Sequence, residues 1–245
     1  MRKQFLALIV ILVTVASVAL GQKKYEVDTL KSRAGNIEIS FLGHGSVMFK
    51  SAGKVIYTDP VSQFADFSQM PKADLILLTH EHGDHLDSLA IEECRTEKTI
   101  VLCTESCMSR IRGGTVMKNG DATMSGSIKI EAVPAYNLVH MRNPGVPFHA
   151  KGAGNGYVLT LGGKRIYVAG DTENIPEMSK LGVIACAFLP MNLPYTMTPE
   201  MVAEAAKRIQ PKILYPYHLG KTDTALLVNL LKDEKGIELR IRKMQ

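Results

Sequence analysis

Between Thr79 and His85 the sequence runs Thr-His-Glu-His-Gly-Asp-His, directly after the apolar run Ala73-Asp74-Leu75-Ile76-Leu77-Leu78. A short apolar run bounded by polar residues reads as a buried strand. Imidazole and carboxylate suit Zn²⁺, Mn²⁺ or Fe²⁺, so a strand that ends in three histidines and two acids delivers metal ligands. On an extended turn side chains alternate, so His80 and His82 point the same way while Asp84 and His85 reach toward a second ion. A polar surface turn with incidental histidines is the bland alternative, and the density of ligands speaks against it. The loop supplies only part of each coordination shell, so the rest of the chain must bring further ligands to it.

The chain has 245 residues, 46% hydrophobic and 22% charged, which implies a packed core and excludes a disordered chain. Residues 1–21 stand apart: Arg2 and Lys3 precede an apolar run from Phe5 to Leu20, and Ala19-Leu20-Gly21 offers small residues for cleavage. This reads as a secretory signal peptide, with a secreted or periplasmic mature chain; an uncleaved N-terminal membrane anchor is the alternative. No Cys follows the run, so a lipid anchor is not indicated. Removing Arg2 and Lys3 takes the formal charge from +5 to +3 without leaving a basic block, so a nucleic-acid partner is not expected. Cys94, Cys103, Cys107 and Cys186 show no paired spacing; buried free thiols are expected, with one disulfide among the first three as the alternative.

Residues 22–36 read as a polar lead and 37–245 as a single domain in two pseudo-repeated halves, about 37–125 and 126–245. Strands are expected at Ile37–Phe41, Val47–Lys50 and Lys54–Thr58, the last ending at Asp59-Pro60, where Pro stops the ladder. Val61–Pro71 reads as a loop, with Phe64, Phe67 and Met70 as its apolar content. Ala73–Leu78 feeds the ligand loop, Leu86–Arg95 has helical spacing, Thr99–Cys103 is a strand and Glu105–Ile111 a short helix. After the turn at Asn119-Gly120-Asp121 come alternating residues Ser127–Val133, then a hairpin of Gly156–Leu161 and Lys164–Ala169 ending in Gly170-Asp171-Thr172. Ile184–Pro190 and Lys212–Tyr217 are strands, the second delivering His218. Pro199–Ile209 is a helix capped by Thr198, Asp223–Lys232 another, and Ile237–Ile241 closes the chain. Strands alternating with helices in both halves predict two sheets face to face with helices outside. Ligands then converge along one edge: His80, His82, Asp84 and His85 from the first half, Asp171 and His218 from the second. A turn cap is the alternative role for Asp171 and a core histidine the alternative for His218.

Thr79-His80-x-His82-x-Asp84-His85, Ala169-Gly170-Asp171-Thr172 and Tyr215-Pro216-Tyr217-His218 together resemble the metallo-β-lactamase superfamily, from about Ile37 to the C-terminus. Phe41-Leu42-Gly43-His44-Gly45-Ser46 and Val133-Pro134-Ala135-Tyr136-Asn137 are similar to its broad branch of metal-dependent hydrolases, which holds lactonases and phospholipid phosphodiesterases. The resemblance implies an α/β fold, a four-layer αβ/βα sandwich of two mixed sheets with helices on the outer faces. It also implies that His80, His82 and a third histidine hold one metal, that Asp84, His85 and His218 hold the other, and that Asp171 bridges. The third histidine often follows Pro-Ala-aromatic, where this chain has Asn137. Phe148-His149-Ala150-Lys151-Gly152 resembles a Phe-His-Pro-Lys-Gly segment of relatives with the same departure, so His149 is expected there, with His140 or the neutral oxygen of Asn137 as alternatives.

Two Zn²⁺ ions are favoured by the imidazole count, with Mn²⁺ or Fe²⁺ open. The implied activity is hydrolysis of an ester, lactone or phosphodiester in a small-molecule substrate by a metal-bridging hydroxide that Asp84 orients. Tyr195 is placed to donate a hydrogen bond to developing charge, with surface packing as its alternative. His44 and Asp59 are expected to hold ligand histidines by hydrogen bonds, or to play plain turn roles. Two other readings stand: β-lactamase activity proper, which the Pro-Ala-Tyr-Asn segment does not fit, and a non-catalytic metal-binding or interaction module, which Asn137 supports. Oligomeric state has no signature in the sequence.

Overall fold

In the computed structural model, which describes residues 25–244, two seven-stranded sheets pack face to face. The first holds β1 (Glu26–Ser32), β2 (Gly35–Gly43), β3 (Ser46–Ser51), β4 (Lys54–Thr58), β5 (Leu75–Leu77), β6 (Ile100–Cys103) and β7 (Thr115–Val116), side by side in that order. The chain then crosses to β8 (Ala122–Ser125) and β9 (Ile128–Ala135) and makes a separate hairpin of β10 (Met141–Asn143) and β11 (Val146–Pro147). It continues through β12 (Gly154–Leu161), β13 (Lys164–Val168), β14 (Cys186–Pro190), β15 (Ile213–Tyr217) and β16 (Glu238–Leu239). The second sheet is ordered β16-β15-β14-β13-β12-β9-β8.

Side chains that alternate along a strand sort into two layers. Ile37, Ile39 and Phe41 of β2 meet Ile130, Leu159 and Phe188 of the second sheet in the central core. There the Phe188 ring lies 6.1 Å from Phe41, 5.8 Å from Phe49 and 5.0 Å from Tyr215, distances at which aromatic pairs attract beyond their buried area. The opposite face of the first sheet, with Tyr57, Ile76 and Leu78, is covered by α1 (Ser88–Cys94) through Ala90, Ile91 and Cys94. The outer face of the second sheet is covered by α2 (Pro199–Ile209) and α3 (Ala225–Leu231). Helix α2 starts where Pro199 fixes φ and the Thr198 hydroxyl accepts the Met201 N–H at 3.2 Å; it ends at Gln210 in the left-handed region, φ 53°. The expected four-layer αβ/βα sandwich of two mixed sheets is the observed fold.

Several elements differ from the sequence reading. Glu105–Ser109 is a 3-10 turn rather than a helix over 105–111, and α1 is shorter than 86–95. The chain crosses between sheets at 117–121, slightly before the expected boundary. All four cysteines are buried and free, and burial pushes the thiols of Cys94, Cys103 and Cys186 up to about 12. Residues 1–21, read as a signal peptide, lie outside the described residues; among the described ones no helix is long and apolar enough to cross a membrane.

The described part of the polar lead, from residue 25, holds a strand. Residues 26–32 form β1, an edge strand with few buried side chains, so it shows no apolar alternation. Asp28 ties it to the far sheet: its carboxylate accepts the Tyr215 hydroxyl at 2.6 Å, Arg240 at 3.0 Å and Arg242 at 2.7 and 2.8 Å.

Strand directions place the site. β2, β4 and β5 run parallel to one another, as do β9, β13, β14 and β15. His44, Asp59 and the ligand loop therefore follow the carboxyl ends of the first set, and Asn137, Asp171, Asn192 and His218 those of the second.

Burial opposes charge on Asp28, but Tyr215, Arg242 and Arg240 outweigh it and hold the carboxyl below its usual 3.8. A depressed carboxylate value adds stability that is complete above the unfolded value and is lost as pH falls through the folded one. Asp28→Ala should cost about 2 kcal/mol of unfolding free energy at neutral pH. In urea melts the gap to wild type should narrow as pH drops from about 5 to below about 3.

Candidate metal centre

The loop after β5 leaves the sheet buried, turns outward at 81–84 and is buried again at His85. Thr79 and His85 are fully enclosed, His80 is 4% exposed, and Gly83 and Asp84 turn to solvent. Asp59, one strand over, sits in the left-handed region at φ 43° with its carboxylate buried. It accepts the Thr79 N–H at 2.8 Å, the Thr79 hydroxyl at 2.6 Å and the His85 Nδ1–H at 2.8 Å. Because the Thr79 proton goes to Asp59, its oxygen accepts from His80 Nδ1, 3.0 Å away. Each of these two imidazoles thus donates outward and keeps a bare Nε2 facing inward.

His149 is held in the same way from the other sheet. Asn137 donates its Nδ2 protons to Glu173 Oε1 at 3.0 Å and to the Tyr195 carbonyl at 2.9 Å, which turns its Oδ1 toward His149. That oxygen accepts the His149 backbone N–H at 2.9 Å and Nδ1–H at 2.7 Å. His149 Nε2 is left bare, 3.2 Å from His82 Nδ1, and His80 Nε2 is 3.1 Å from the same atom. Asp171 stands between the clusters. Its Oδ2 lies 3.3 Å from His149 Nε2, 3.4 Å from His218 Nε2 and 3.9 Å from His80 Nε2, and its Oδ1 lies 3.3 Å from His85 Nε2. Asp84 Oδ2 is 3.5 Å from His218 Nε2.

These residues fit a metal centre. Donor atoms around a tetrahedral Zn²⁺ at 2.0–2.1 Å are about 3.3 Å apart, the spacing found here. His80, His82 and His149 offer one group of converging atoms and His44, Asp84, His85 and His218 another, with Asp171 against His80 and His85. His85 Nε2, Asp171 Oδ1 and both ring nitrogens of His218 are buried without a hydrogen-bond partner, an arrangement that a cation relieves. Burial, and next the charge of His85, hold His80 well below the usual histidine value; burial and then His149 lower His82. Burial opposes charge on His85 too, but Asp171 and Asp59 raise it well above that value. Asp171 stays far below the carboxylate range against its burial because His218 and His85 face it.

Of the alternatives for the first cluster, His149 is the residue whose nitrogen reaches His82. Asn137 orients His149 instead of facing the centre, and His140 turns away to Glu173 Oε1 at 2.7 Å. Asp59 holds a histidine as expected of it, whereas His44 meets a carboxylate: its Nε2 is 3.0 Å from Asp84 Oδ2, and its ring stacks on Phe64 at 5.1 Å. The His44 carbonyl accepts the His218 N–H at 3.1 Å, and its own N–H reaches the Met244 carbonyl at 2.6 Å. Six of the seven histidines thus gather here. Glu173 was not foreseen. Fully buried, it accepts the N–H groups of Leu138, Val139 and His140 at 2.7 Å each, and these bonds with that of Asn137 hold its carboxyl low against burial. Its only sequence signal is an acid two residues after Asp171.

A cavity of about 510 Å³ opens over both clusters, and Arg142, Phe148, Asn192 and Tyr195 complete its wall. Tyr195 is 45% exposed at the rim, its ring edge-on to Phe148 at 5.0 Å. Removing the group that orients a ligand histidine costs metal affinity. Asn137→Ala should weaken Zn²⁺ binding about 10- to 100-fold with the far-UV spectrum retained, measured by competition with a chromophoric chelator.

The β-lactamase superfamily domain model matches residues 38–218, from β2 to the last ligand candidate. A crystal structure from Parabacteroides distasonis, provisionally assigned as a metal-dependent hydrolase, is 47% identical and covers 91% of this chain and 100% of its own, with a TM-score of 0.86. A UPF0173 metal-dependent hydrolase of Symbiobacterium thermophilum is 31% identical over 222 residues, 84% of this chain and 92% of that protein. A metallo hydrolase of Ignicoccus hospitalis, 20% identical with a TM-score of 0.68 over 84% of this chain and 95% of its own, shares the fold. The chain belongs to the metallo-β-lactamase superfamily and is a metal-dependent hydrolase on that fold.

Proposed function

We propose that the protein is a dinuclear hydrolase that cleaves an ester, lactone or phosphodiester bond in a small molecule. The observation that carries this reading is the set of buried donor atoms left bare toward one point: Nε2 of His85 and His218 and Oδ1 of Asp171. His80, His82 and His149 would hold one ion, Asp84, His85 and His218 the other, with Asp171 between them. Zn²⁺ is favoured by five imidazoles among these residues. When bound, such ions supply Lewis acidity and lower the pKa of water from 15.7 to about 7, making hydroxide available at neutral pH.

The chain's own groups do the rest. Asp84, 3.0 Å from His44 Nε2 and lining the cavity, orients the attacking oxygen. His44 positions Asp84 in turn. The Tyr195 hydroxyl, at the rim, donates to charge developing on the substrate. Phe148 and Tyr195 together form an apolar wall that limits water beside the reacting bond. The non-catalytic reading drew on Asn137 in the place of a histidine; that support falls away because His149 presents the nitrogen and Asn137 aims it. Export through residues 1–21 belongs to the same proposal and rests on the apolar run after Arg2-Lys3.

His82→Ala should abolish turnover and lower bound metal together, read by emission spectrometry and by a panel of nitrophenyl esters, lactones and phosphodiesters. Substoichiometric metal in gently purified wild-type protein, with no turnover on that panel, would overturn the proposal.

A further inference from the structure

The β10–β11 hairpin brings Arg142 to the metal centre. Arg142 is exposed, its guanidinium 5.9 Å from the centre of the Phe148 ring and its Nη2 3.5 Å from His82 Nε2. Among the described residues no carboxylate forms an ion pair with it; Glu81, beside His82 in the chain, binds the Ser106 hydroxyl at 2.8 Å. Arginine keeps its charge at any working pH. Arg142 lines both the 510 Å³ cavity and an adjoining one of about 190 Å³.

The contact with His82 carries the inference. His82 turns Nδ1 toward the bare nitrogens of His80 and His149, so Nδ1 is the atom it offers to a cation. A neutral imidazole that gives its Nδ1 lone pair carries its proton on Nε2. With Nδ1 given to a cation, Nε2 would carry the proton and face Arg142 as a second donor. Two donors then stand 3.5 Å apart without an acceptor between them. An anionic oxygen answers both, and the planar fork of arginine matches a phosphate or carboxylate.

We propose that Arg142 and the Nε2–H of His82 form an anion subsite beside the metal centre, which selects substrates that carry a negatively charged oxygen, phosphodiesters first, over neutral esters and lactones. This rests on the hydrolase reading above and names its substrate class. A divalent pair against Asp84 and Asp171 leaves the centre cationic, which favours the same substrates.

Inorganic phosphate titrated calorimetrically into the zinc-loaded full chain should bind Arg142→Ala about tenfold or more weakly than wild type, at equal zinc content. Arg142→Lys, which keeps the charge and loses the fork, should recover part of the loss. The kcat/KM ratio for bis(4-nitrophenyl) phosphate over 4-nitrophenyl acetate should fall by a similar factor in Arg142→Ala, through KM. Phosphate affinity within about twofold of wild type in Arg142→Ala, or an equal loss on both substrates, overturns the subsite. Phosphate binding that depends on Arg142, in a wild-type protein of substoichiometric metal content that turns over nothing on the ester, lactone and phosphodiester panel, upholds the subsite and overturns the hydrolase reading.

Discussion

Much of the site hangs on a carboxylate that is not offered to any ion. Asp59 is buried, and a charge there is tolerated only because three donors meet it: the Thr79 N–H, the Thr79 hydroxyl and His85 Nδ1–H. By taking those protons it decides which nitrogen of His85, and through Thr79 which nitrogen of His80, is free to bind. Gly45 allows the close approach, since a Cβ there would lie 2.8 Å from the His85 ring. The same carboxylate therefore anchors the backbone of the ligand loop and sets its chemistry.

Glu173 does from the second sheet what Asp59 does from the first. One chain of bonds runs Asp59–Thr79–His80, the other Glu173–Asn137–His149, and in each a buried acid acts through a neutral residue on an imidazole. Both acids sit at the carboxyl ends of strands, where parallel neighbours leave a crevice between β-strand ends. His149 supplies the nitrogen, and Asn137 is the group that aims it.

The fold was legible because its strands are buried on one or both faces: Leu75–Leu77 and Ile213–Tyr217 read as apolar runs, and α2 announces itself through Thr198-Pro199. β1 was not legible, since an edge strand held by Asp28 and two arginines carries no apolar alternation. The β10–β11 hairpin was missed for a similar reason, its residues being largely exposed. In the site, the motif loop, Asp171 and His218 declare themselves by residue type at strand ends. Glu173 and Arg142 do not, because an isolated acid or arginine in a loop is ordinary in sequence and gains meaning only from what lies within 4 Å of it.

His44 takes a bond from His218 and gives one to the carbonyl of Met244, so the centre is closed by residues from both ends of the chain. A nascent polypeptide still lacking its last strands holds the His80–His85 loop but neither His218 nor the tail that braces His44. The metal-binding set is therefore complete only once β15 and the segment that carries Met244 have joined the fold.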